Sequence, residues 1–141
     1  MRDNLVLRVI TKLLVPPILL FALYVQFHGD FGAGGGFQAG VIFASAVVLY
    51  ALVFDYDLAV DVLTPGVLLT LVPAGVLLYG GVGLVALARG GVYLDYDVLA
   101  HDPVHGQHLG ILLVELGVGI TVAAVMIAVF LAFLQHWRDR P

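Results

Sequence analysis

The stretch from Phe27 to Asp57, FHGDFGAGGGFQAGVIFASAVVLYALVFDYD, carries five glycines in its first ten residues and then a nearly unbroken apolar run. Two readings compete for it: a phosphate-binding loop, or a turn between two segments that live in lipid. GGGFQA, Gly34 to Ala39, fits the loose G-x-G-x-x-A form of a dinucleotide fingerprint, and Asp55 follows at about the distance of a ribose-binding acid. That fingerprint works only between a strand and a helix of a βαβ unit. Here both flanks are apolar runs of membrane length, and no Gly-Lys-Ser/Thr follows. The nucleotide reading fails, and the glycines form a turn that feeds a closely packed helix.

Composition supports lipid as the solvent. Of 141 residues, 62% are hydrophobic and 11% charged, against about 45–50% and about 25% in ordinary globular chains. So few charges could not cover so much apolar surface in water. The net charge is −4 with only six Lys or Arg, which argues against nucleic acid, because phosphate binding needs clustered positive charge. With no cysteine there is neither a disulfide framework nor a thiolate metal site.

Four apolar runs are long enough to span: residues 9–27, 37–54, 67–88 and 109–134. As helices they measure roughly 28, 27, 33 and 39 Å, against a hydrocarbon core of about 30 Å. The expected fold is an all-α membrane protein, a single integral membrane domain over residues 1–141, with four transmembrane helices and short loops. The first run is read as a retained helix, since no small-residue cleavage site follows it. Aromatic residues mark the span ends: Tyr24, Phe27, Phe54, Tyr56, Tyr93, Tyr96 and Trp137. The termini carry Arg2, Arg8, Lys12, Arg138 and Arg140, while the first and third loops share only Arg89. This asymmetry predicts both termini in the cytoplasm. Pro16–Pro17 and Pro73 predict kinks in the first and third helices.

Within the spans, Glu115 is the sharpest residue. It is the one charged side chain well inside a run, about 9 Å along the helix from Leu109. A carboxylate in the bilayer is costly and must face protein or water, or take up a proton. The functional reading is a proton or cation relay; the plain one is a hydrogen-bonded structural carboxyl. His108 and Gly119 share its helix face, with His108 about 10 Å away along the axis. His28 and Asp30 are a candidate polar pair at the mouth of the first turn. Gly34, Gly35, Gly36, Phe37, Gln38 and Gly40 form the loop and helix-packing motif, in which Gly36, Gly40 and Ala44 recur every four residues and put small side chains on one face. His101, His105 and His108 fall at spacings of four and three, but Pro103 and Gly106 interrupt the helix that a metal face needs. We expect solvated interfacial histidines, no metal and no cofactor. Lys12 lies near a span end, where it can snorkel to the headgroups.

HGDFGAGGGFQAGVIFAS, His28 to Ser45, resembles the signature of the MnhB-like component of the multisubunit Mrp-type sodium/proton antiporters. GQHLGILLVELGVGITVAAVMIAVF, Gly106 to Phe130, is similar to that family's final helix. Departures are small: Ala33 stands where the family often has proline, and Ala39 precedes Gly40 where it often has paired glycines. The resemblance implies a bacterial inner-membrane complex exchanging sodium for protons, with partners of the A, C, D, E, F and G types around a small accessory MnhB-like component. It also admits the equivalent component of a related membrane-bound hydrogenase or complex I-like assembly. One isolated carboxylate is too little for coupled exchange by this chain alone. The expected role is therefore to support assembly and line an ion path with Glu115, aided by His108, in contact with membrane lipid and with no nucleic acid, nucleotide or catalytic constellation. A purely structural packing component and a self-sufficient small channel are the competing readings.

Overall fold

The computed structural model describes residues 4–54 and 56–138. Arg2, Arg140 and Asp55, which enter the arguments above, lie outside the described residues. Every regular element among those described is helical: α1 (Leu5–His28), α2 (Gly36–Phe54), α3 (Tyr56–Val62), α4 (Pro65–Ala88), a 3-10 turn (Tyr96–Leu99) and α5 (Pro103–Arg138). Four of these, α1, α2, α4 and α5, are long and apolar enough to cross a membrane.

Each expected span is present, with shifted ends. α1 starts at Leu5 because Asn4 caps it, its side chain accepting from the Leu7 amide at 3.2 Å. α1 stays helical through Pro16 and Pro17, and α4 through Pro73. The largest correction is α5. The interruption expected at Pro103 and Gly106 does not occur: Pro103 opens the helix, where its missing N–H costs nothing. Asp102 caps the helix, with Oδ1 accepting from the Val104 amide at 3.3 Å. Gly106 lies inside α5, where a side chain would strike the Tyr96 carbonyl. The 36 residues of α5 reach about 54 Å, so its ends project beyond the hydrocarbon. α3 is a second departure, a short helix inside the expected middle loop. It exists because Ala59 is buried against the core, with Tyr56 and Val60 packed beside it.

α4 is capped by Thr64, whose hydroxyl accepts from the Val67 amide at 3.3 Å. Thr64→Ala is expected to cost about 1 kcal/mol. Faster amide exchange confined to the first turn of α4 would register it.

α5 is the central helix. On one side Gly36 faces Glu115 and Gly119, and Gly40 faces Gly119 and Val122. The two numbers rise together, so α2 runs parallel to α5. On the other side Gly75 faces Gly117 and Thr121, while Thr121 Oγ1 donates to the Val72 carbonyl. These numbers oppose, so α4 is antiparallel. α1 lies against α2, with Arg8 and Lys12 of its first turns over the Phe54 ring at 5.4 and 5.6 Å. Lys12 thus rests on an aromatic face as well as near the membrane end.

Many buried positions are small, among them Ala44, Ala51, Ala59 and Ala124, beside the larger Leu68, Ile127 and Leu131. Many large apolar side chains point outward; Leu69 is 75% and Leu77 73% exposed. Water would reverse that arrangement. Lipid permits it, because helix association there depends on close backbone approach rather than on hiding leucine.

Candidate functional site: a carboxylate seated in the glycine turn

The site forms where the end of α1, the first loop and the start of α2 meet α5. The loop folds back on α1 as the Gly35 amide donates to the Val25 carbonyl at 3.3 Å. Gly35 has φ +126°, a conformation that L side chains rarely adopt. Gly36 then begins α2 directly over the backbone of Glu115, and a Cβ there would run into the Glu115 carbonyl. Two glycines of the triple therefore have separate necessities: one for the turn, one for the approach.

The turn leaves room for the Glu115 side chain. A Cβ on Gly29 would lie 2.8 Å from Glu115 Oε1, and one on Gly35 would lie 3.2 Å from the same atom. The carboxylate is half-buried and, among the described residues, no donor is hydrogen-bonded to it. Nearer the loop end of α5, His108 Nδ1 makes a short contact with Asp30 Oδ2, and the Phe31 ring stacks on His108 at 5.9 Å. Deeper along α5, Gly119 faces Gln26. His108, Glu115 and Gly119 share one face, in line with their spacing, and each meets a different part of α1 and its loop.

The pairing at the mouth differs from expectation. Asp30 reaches His108 on α5 rather than His28 two residues before it. His28 is the last residue of α1 and stacks on Tyr24, one turn earlier, with centroids 5.1 Å apart. Phe37 and Gln38 point outward, with Gln38 Oε1 near Gly35. Gly40 is buried against the Gly119 carbonyl, where a Cβ would lie at 2.7 Å. Gln26 escapes a reading of the sequence; the available signal is a lone amide near the end of an apolar run.

The histidines of the third loop take different partners. His105 Nδ1 lies 2.7 Å from Asp102 Oδ2, while His108 turns to Asp30. Among the described residues no group of three or more His, Cys, Asp or Glu is placed to hold a metal. The His105 hydrogen bond, followed by the Val104 amide, holds the Asp102 carboxyl below its usual range. A depressed carboxyl stabilises the fold above its ordinary pKa, and that contribution disappears as pH falls through the lowered value. Acidification should therefore loosen the first turn of α5, seen as lower protection factors for the Val104 and Gly106 amides, each rate being taken relative to the intrinsic exchange rate at the same pH.

Four close-packed helices, each long and apolar enough to cross a membrane, define a polytopic helical membrane protein. A family model described as a domain related to the MnhB subunit of Na+/H+ antiporter matches residues 6–128, and the chain belongs to that family. Among its relatives are proteins named as a candidate antiporter subunit, mnhB2, in Staphylococcus haemolyticus (strain JCSC1435) and in Staphylococcus aureus (strain Newman). Each is 35% identical over 136 residues, covering 94% of this chain and 96% of the relative.

Proposed function

We propose that this chain is a small accessory membrane subunit of a multisubunit Na+/H+ antiporter, serving transport rather than catalysis. It supports assembly through the small-residue faces of α2, α4 and α5, and it lines an ion path with Glu115. Family membership supports the parent complex. The observation that carries the path is the Glu115 carboxylate, seated against Gly29 and Gly35 without a hydrogen-bond donor among the described residues. A purely structural carboxyl in lipid would be tied down by donors, whereas a relay group must stay available. The Asp30–His108 pair stands between this carboxylate and the loop end of the bundle, so it forms the entry: an imidazole has both a donor and an acceptor nitrogen and can pass a proton inward through water.

In this reading both termini are cytoplasmic in the plasma (inner) membrane, and the glycine turn faces outward, in line with the excess of Lys and Arg at the termini. Partners are the other antiporter subunits and lipid. The test is Glu115→Gln in the assembled complex, with sodium/proton exchange and subunit co-purification measured together. Lost exchange with intact assembly supports the relay; unchanged exchange removes it.

A further inference from the structure

Gln26 is the polar side chain at this junction that the entry pair and the relay leave unused. It is 5% exposed, and its amide nitrogen is buried with no acceptor among the described residues. On α1 it precedes Gly29, where the Glu115 carboxylate sits. On α5 it faces Gly119, one turn beyond Glu115. A Cβ on Gly119 would lie 2.5 Å from Gln26 Oε1 and 3.3 Å from the Gly36 carbonyl oxygen. Both helices therefore place the amide about one turn, roughly 5 Å, deeper than the carboxylate. In lipid an amide with an unused donor is an unmet demand for a polar partner.

Below Gln26 lies a cleft of about 240 Å³ between α1, α2, α4 and α5, open at the bundle surface where Leu23, Phe43 and Leu116 are exposed. Its walls, including Leu23, Phe43, Leu71, Leu116 and Ala123, are apolar, with Gln26 the polar exception. An apolar cleft of this lining offers a water or an ion no polar partner beyond Gln26. The polar groups descend in order as Asp30–His108, Glu115 and Gln26, and then meet this cleft.

We infer that Gln26 is the next station of the path after Glu115, where its amide holds the proton-bearing water or monovalent cation at the edge of the apolar cleft below. This rests on the relay reading of Glu115. Gln26 acts by positioning. Its amide offers both a donor and an acceptor, so it serves an incoming water or cation without itself changing charge.

The experiment uses the assembled complex in proteoliposomes, with sodium and proton fluxes and subunit co-purification measured for each variant. Gln26→Met keeps length and apolar fill but removes the amide, whereas Gln26→Asn keeps the amide and gives up packing. A polar station predicts that Met lowers flux at least roughly tenfold with normal co-purification, while Asn retains most of it. A packing role predicts the reverse order, and that result overturns the inference. Ala123→Phe, which fills the cleft below Gln26, is expected to lower flux as well; wild-type flux in this variant would remove the cleft from the path. Should Gln26→Met fail to assemble, Gln26→Leu carries the same expectation. Glu115→Gln runs in parallel. If it is impaired while Gln26→Met transports normally, only the Gln26 station is lost. If Glu115→Gln itself transports normally, the relay reading falls and takes this one with it.

Discussion

Gly36→Leu should abolish stable incorporation of the protein into its complex. Gly36 starts α2 in direct contact with the Glu115 carbonyl, and an added Cβ would also lie 3.0 Å from the Gly119 amide nitrogen. The obstacle is helix backbone on α5, which cannot swing aside as a side chain could. Relief requires α2 to move off α5, and that opens the whole Gly36–Gly40–Ala44 face. Ordinary overpacking costs about 1–3 kcal/mol; a clash with backbone at the tightest crossing should exceed that range. The measurement is the amount of this chain recovered with its complex from membranes. Gly80→Leu is the control: a Cβ there meets nothing within 4 Å, so the protein's own fold should tolerate it. Equal recovery of the two variants would show that the α2–α5 contact does not hold the fold together.

Glu115→Gln has the second large effect, and its signature is the opposite one. Glutamine has almost the same shape, so the seat between Gly29 and Gly35 remains filled and the helices stay together. What disappears is the capacity to take up and release a proton, or to pair with a cation. A positioned proton-transfer group is worth roughly a hundredfold or more. Sodium/proton exchange by the complex should therefore fall by at least about tenfold with normal recovery of the chain. A protein that contributes packing alone would give wild-type exchange here. The two substitutions thus separate assembly from ion movement at residues in direct contact.

Hydropathy makes the spans legible because lipid imposes a single demand on every residue of a run, and length alone then decides whether the run crosses. Their ends are less so. The start of α5 is hidden because Pro103 and Gly106 have the look of helix breakers. Proline at a first helical position is harmless, and Gly106 is set by the Tyr96 carbonyl beside it. α3 is hidden because its burial depends on core residues elsewhere in the chain, Leu68, Ile127 and Leu131 among them.

Residue types and spacing by themselves determined four apolar spans, a close-packing glycine face on α2 and one stranded carboxylate, since each follows from local composition and helical period. Tertiary structure decided which groups meet: Asp30 with His108 rather than His28, Glu115 with the glycines of the first turn, and Gln26 above the cleft. Asp30 and His108 stand 78 positions apart, and Glu115 is as remote along the chain from Gly29 and Gly35. Periodicity within one helix says which face a side chain shares, but only the packing of α1 and α2 onto α5 brings that face to its partners.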